Sequence, residues 1–229
     1  MIQLAALPGV RTRQTRGALR TANVEIAGRL ARAAAGHGVR SVFVSSSSVY
    51  GNASLLPTPE HAPLAPLNPY AESKVAAEAA VLAYGGNAVI VRPFTVYGPG
   101  QRPEMAFARW IAARAAGDPL PVHAAHGTAR DFTYVDDAVA GLIAALRHGR
   151  SGEAYNVSGW RTVDLREALE LLGARPADLC ELPPSGGEAL VTSGCGRKAA
   201  AQLGYAPRIR LAAGLERQRQ AASSVSLAA

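Results

Sequence analysis

The stretch "VRSVFVSS", residues 39–46, decides the class of fold. Successive side chains of a strand point to opposite faces. Val42, Phe43 and Val44 are apolar at consecutive positions, so a strand here is apolar on both faces and needs cover on both. That pattern marks a strand inside a parallel sheet. "NAVIVRPF" (87–94) reads the same way, and shorter runs at "IQLAA" (2–6) and "AYNV" (154–157) join it. Helical patterns fill the gaps: Ala22 to Gly36, closing in Gly-His-Gly, then alanine-rich Tyr70 to Tyr84, Met105 to Ala116, Val135 to Arg147, Val163 to Leu172, and Arg197 to Leu203. A proline-rich loop runs from Leu56 to Pro69. Strand–helix alternation predicts an α/β fold, a doubly wound parallel sheet with helices on both faces. Ligands of such sheets bind at the carboxyl ends of the strands, so the residues just after each strand carry the function.

Composition narrows the partners. The 229 residues are 48% hydrophobic and 18% charged, which is globular rather than disordered. No apolar run reaches the roughly 18 residues of a membrane span. "MIQLAALPGV" lacks the basic start and cleavage site of a signal peptide, so a soluble, cytoplasmic protein without a membrane partner is expected. The net charge is +7, but the arginines are scattered and no basic helix or aromatic platform is visible, which argues against nucleic acid. Arginine forks suit anionic small molecules such as diphosphates. Cys180 and Cys195 read as reduced thiols. His123 and His126 lie three apart without further ligands near them, so no metal site is expected.

Two stretches carry chemistry. "SSSSVYG" (45–51) follows the strand at 39–46, and "NPYAESK" (68–74) opens the next helix. Tyr70 and Lys74 are four apart, so phenol and ammonium share a helix face. A phenol is a poor base near neutral pH, and a fixed cation beside it favours the phenolate. Only two of the 24 basic residues are lysines, Lys74 and Lys198, so a lysine at this position is informative. Serine, tyrosine and lysine together can move a proton on or off a hydroxyl while hydride leaves the carbon.

With these stretches, "LAALPGVR", "ANV", "VRPFTVYGPGQRPEMAFARW", "RDFTYVDDAVAG", "AYNVSG" and "LGYAP" make the chain resemble the extended short-chain dehydrogenase/reductases, the NAD-dependent sugar-nucleotide epimerase/dehydratase group, from residue 1 to about 216. The nearest flavour is that of the UDP-sugar 4-epimerases, those acting on UDP-glucuronate in particular. The resemblance implies a Rossmann-like sheet and a small C-terminal substrate lobe. The units would be 1–150, which includes the catalytic residues, 151–216 for substrate, and a disordered tail at 217–229. It implies Ser46, Tyr70 and Lys74 as catalytic residues. NAD would be lined by Leu4, Ala5, Ala6, Asn23, Ser45, Tyr70, Lys74, Pro93 and Phe94. Thr95, Arg102 and Arg130 would face a nucleotide-sugar substrate, with Arg130 on its diphosphate. It implies a homodimer through the helices at 22–36 and 70–84. The 4,6-dehydratases of the group place Asp-Glu after the catalytic hydroxyl residue; here Ser47 and Ser48 stand there, which favours epimerisation. A reductase or dehydrogenase of the same group, or an inactive scaffold, is the alternative.

One motif is missing. A dinucleotide site needs G-x-G-x-x-G after the first strand, opening a helix. "GPGQRP" (98–103) follows the third strand and its prolines prevent that helix. The chain is therefore expected to begin at the group's fourth strand, N-terminally truncated, with "IQLAA" as an open sheet edge. Other departures fall in binding loops: "HAAHGTA" replaces a Gly-Asp-Gly turn, no arginine lies near "PSGGE", and Cys195 replaces an aspartate.

Overall fold

The computed structural model describes residues 1–9, 14–84, 86–123, 127–183 and 186–226. Val10 and Arg11 of "LAALPGVR", His126, and residues 227–229 of the expected tail lie outside these. In chain order the elements are β1 (Ile2–Gln3), α1 (Arg16–Leu19), a π-helical turn (Arg20–Glu25), α2 (Ile26–Gly36), β2 (Ser41–Val44), a 3₁₀ turn (Ser47–Tyr50), α3 (Pro69–Ala83), β3 (Ala88–Pro93), β4 (Val96–Tyr97), α4 (Ala106–Ala116), β5 (Leu120–His123), β6 (Ala129–Asp131), β7 (Thr133–Tyr134), α5 (Val135–His148), β8 (Ala154–Val157), β9 (Thr162–Asp164), α6 (Leu165–Leu171), a second 3₁₀ turn (Pro176–Asp178), β10 (Leu179–Leu182), β11 (Val191–Thr192), α7 (Arg197–Leu203) and α8 (Leu211–Ser226). None of the described helices is long and apolar enough to cross a membrane.

The main sheet is parallel, in the order β1-β2-β3-β8. The alternation within β2 and β3 distributes their side chains as the sequence predicts. Val42, Val89 and Val91 pack on one face with Leu142 and Ala145 of α5 and Ala199 and Leu203 of α7. Phe43, Ala88 and Ile90 pack on the other with Ala27 and Ala31 of α2 and Ala77 and Val81 of α3. Both faces are covered, and the sheet is doubly wound. β1 pairs with β2 through Ile2–Val42 and Gln3–Phe43, and among the described residues nothing pairs with its other side. Ordered strand pairing stops at Gln3, short of the expected 2–6, and Leu4 is 65% exposed.

A second core forms beyond the carboxyl ends of the sheet, around Tyr97, Phe107, Trp110, Leu120, Phe132, Tyr134, Leu165, Leu169 and Leu215. It is framed by three small sheets: β4 with β7, β5 with β10, and β11-β6-β9. Three expectations change here. The boundary expected at residue 150 coincides with no break, because β8 returns to pair with β3, and α7 packs on the main sheet. The helix expected from Val163 starts at Leu165, because Val163 pairs antiparallel with Arg130 while Asp164 caps the helix by accepting the Arg166 N–H. The expected disordered tail is helical through residue 226, anchored in the second core by buried Leu215. Gln218, also buried, donates to Gln101 Oε1.

Candidate active site

α3 starts abruptly, and its start places the tyrosine. Asn68 is extended, and its Oδ1 accepts the Ala71 N–H at 2.9 Å. Pro69 fills the first helical position, where a missing N–H costs nothing. Tyr70 follows with a fixed orientation. From there the helical period carries Lys74 and Glu78 along the same side, both buried. The Asn68 Nδ2 donates to the Gly187 carbonyl at 2.8 Å, tying the helix start to the loop before β11.

Ser46 ends the extended run after β2 and caps the 3₁₀ turn, accepting the Ser48 N–H at 3.2 Å and the Ser48 hydroxyl at 2.9 Å. Burial pushes the Tyr70 phenol above its ordinary value; the neighbouring Ser46 hydroxyl and the charge of Arg102 pull against it without prevailing. Lys74 Nζ donates to the Val44 carbonyl at 2.8 Å and lies 5.0 Å from the Phe43 ring centre and 5.9 Å from that of Tyr70. Burial brings the lysine down from 10.5 to about 8, opposed by the charge of Glu78. Ser46, Tyr70 and Lys74, expected together from sequence, do converge at the carboxyl ends of β2 and β3. The charge of Arg102 favours the Tyr70 phenolate, while the Lys74 ammonium lies over the ring and donates to the Val44 carbonyl.

The other expected residues fall into two groups. Leu4 and Ala5 are exposed and Ala6 half-buried, just past β1. Thr95 is half-buried and its carbonyl accepts the Thr133 N–H, while Pro93 closes β3. Arg102 pairs with Glu104 at 2.7 Å and its guanidinium lies beside Gly9. Asn23, Ser45 and Phe94 instead serve the scaffold. The amide of Asn23, set in the π-helical turn, accepts the Leu7 N–H at 2.7 Å and donates to the Leu7 carbonyl and the Ser73 hydroxyl. Phe94 is buried and stacks on Tyr50. Ser45 donates its hydroxyl to Glu78. Arg130 donates to the Leu190 and Ala129 carbonyls and faces Glu188 at 3.6 Å. Asp131 accepts the Gly159 and Gly194 N–H groups, and Asp136 pairs with Arg217.

Behind the site lies a buried polar network with no counterpart in the sequence reading. Arg92 of β3 grips Glu78 through both carboxylate oxygens, at 2.9 and 2.6 Å. It also donates to the Tyr50 hydroxyl at 2.8 Å, and Tyr50 donates onward to Asn156 at 2.8 Å. An arginine inside an otherwise apolar strand, and a glutamate one turn past Lys74, were the visible signs of it.

A family model described as "NAD dependent epimerase/dehydratase family" matches residues 1–158. The chain belongs to the NAD dependent epimerase/dehydratase family. Among curated members, a Bacillus subtilis protein described as an uncharacterized UDP-glucose epimerase, YtcB, is 36% identical over 75% of this chain and 57% of its own length. A dTDP-glucose 4,6-dehydratase of Actinoplanes sp. is 33% identical over 77% of this chain and 58% of its own length. The chain thus spans less than three fifths of these relatives. Among solved structures, a Bacillus cereus UDP-glucuronic acid 4-epimerase with NAD superposes with a TM-score of 0.91 at 32% identity, covering 98% of this chain and 75% of that one. DesIV, a Streptomyces venezuelae dTDP-glucose 4,6-dehydratase with NAD, gives 0.90 at 30% identity over 97% and 72%. The sheet is Rossmann-like, as the family predicts.

Proposed function

We propose that this site epimerises a UDP-sugar at C4 with NAD as cofactor. The observation that carries the reading is the meeting of Ser46, Tyr70 and Lys74 at the end of β2, with hydroxyls rather than carboxylates at positions 47 and 48. The described residues fit one end of NAD. Lys74 spends one of its ammonium hydrogens on Val44, which leaves donors for a ribose, and exposed Leu4 and Ala5 offer an apolar wall. No G-x-G-x-x-G turn occurs in the 229 residues for the diphosphate. When bound, NAD⁺ supplies the hydride acceptor. Tyr70 Oη takes the sugar hydroxyl proton and returns it to the keto oxygen, and Ser46 and Ser48 hold that oxygen's hydrogen-bonding direction. Lys74 orients the ribose. Arg102 supplies positive charge that favours the phenolate. The same reading takes Arg130 to the diphosphate and a homodimer through α2 and α3, where Ile26 and Leu82 are exposed.

The test supplies the chain with millimolar NAD and UDP-glucose or UDP-glucuronate and follows the C4 epimer by proton NMR. Epimer should form with no net NADH. Tyr70→Phe should lower the rate at least about 100-fold, the usual worth of a positioned acid–base group. A 4-keto-6-deoxy product would replace this reading with dehydration, and net NADH formation would replace it with simple dehydrogenation. The absent glycine turn predicts weak NAD affinity for these 229 residues, and micromolar binding by calorimetry would contradict that.

A further inference from the structure

We propose that Glu78 is the positioning residue of Lys74: fixed by Arg92 and Ser45, its carboxylate keeps the lysine charged at the end of β2. The geometry comes first. Lys74 and Glu78 are one turn apart on α3, so their side chains lie on one side of the helix. Lys74 is 3% exposed, and an ammonium so deeply buried favours its neutral form unless an anion faces it. The groups in contact with it are the Tyr70 ring from α3 and the Phe43 ring and Val44 carbonyl from β2, and the charge acting on it is that of Glu78, one turn further along α3. Glu78 is the anion in this set.

A buried carboxylate serves this purpose only if it stays ionised and stays in place. Arg92 secures both, with two hydrogen bonds in the bidentate arrangement that fits guanidinium to carboxylate. Ser45 adds a donor from the other side. Arg92 is itself held by the Tyr50 hydroxyl and the Glu60 carbonyl. The opposing effects of burial and Glu78 leave Lys74 at about 8, so roughly nine-tenths of it is charged at neutral pH. A further fall of one pH unit would leave about half. The residue therefore sits where one neighbouring charge decides its state.

The chain offers a direct measurement, because Lys74 and Lys198 are its only lysines. Protein labelled with ¹³Cε-lysine gives two resonances, and the exposed Glu153 partner of Lys198 makes the second an internal reference. Titration of Glu78→Gln should move the Lys74 midpoint down by about one pH unit, the lower end of what a close opposite charge contributes, while Lys198 stays put. Should that variant not fold, Glu78→Leu with Arg92→Met removes the ion pair as a unit, a replacement buried pairs often tolerate. The Lys74 midpoint should fall there too. An unchanged Lys74 midpoint in a folded variant overturns the proposal and leaves the Glu78–Arg92 pair as scaffold. The readout needs neither cofactor nor turnover, so it stands apart from the epimerase reading.

Discussion

The side of the site built by β2, β3 and α3 and the side built by the second lobe use charge in opposite ways. On the first, Glu78 and Arg92 have side chains 5% and 7% exposed and are locked by further bonds from Ser45 and Tyr50. On the second, Arg102 pairs with Glu104 near solvent and Arg130 with Glu188 in the loop before β11. Buried charges cannot exchange partners without a large penalty. Exposed ones can, because water replaces the partner. The chemistry side is thus pre-set, while on the lobe side Arg102 keeps a partner that an incoming anion can displace, and the half-buried Arg130–Glu188 pair lies between the two cases.

The contrast can be broken at its strongest point. Arg92→Met leaves Glu78 without its ion-pair partner in the core, and should cost about 3–5 kcal/mol of unfolding free energy by urea titration. A loss under about 1 kcal/mol would mean the network is wetter than it looks. Lys74→Met should do the reverse. A base whose pKa falls on folding costs stability below its folded value, and the cost disappears as pH rises from there to its unfolded value. For Lys74 that window runs from about 8 to 10.5, so the methionine variant should gain up to about 3 kcal/mol at pH 7 and lose that advantage by pH 10. No gain at pH 7 would show that the Val44 hydrogen bond offsets the burial.

Smaller effects belong to the lobe side. Arg102 lowers the Tyr70 pKa, so Arg102→Gln should raise it and move the ascending limb of the rate profile to higher pH by less than about one pH unit, as an exposed charge does. Glu188→Gln should change stability by less than about 1 kcal/mol. It should also tighten UDP binding measured by calorimetry, by removing the anion that faces Arg130. Weaker binding would make Glu188 a support of the loop rather than a competitor.

What the sequence disclosed follows from how local each pattern is. β2 and β3 were legible because consecutive apolar residues have one interpretation in a strand. Val96–Tyr97 and Thr133–Tyr134 were not: two residues carry no period, and their pairing is set by distant partners. α8 was hidden because alanine, serine and glutamine surround the single anchors Leu215 and Gln218. In the site, Tyr70 and Lys74 were legible as an i, i+4 pair. The Glu78–Arg92 contact joins a helix to a strand, and no spacing rule encodes that. Asn23, Ser45 and Phe94 were placed on the cofactor by resemblance alone, and the hydrogen bonds that commit the first two to the scaffold appear only in three dimensions.

Asn68 connects the two sides through the two ends of one amide. Its side-chain oxygen closes the first turn of α3, one residue before the first main-chain bond from Glu72 N–H to the Asn68 carbonyl, and its nitrogen holds Gly187 in the lobe. Aspartate would do the first task and not the second. The bond to Gly187 can therefore be lost without loosening the helix that carries Tyr70, because the two ends of one amide act separately.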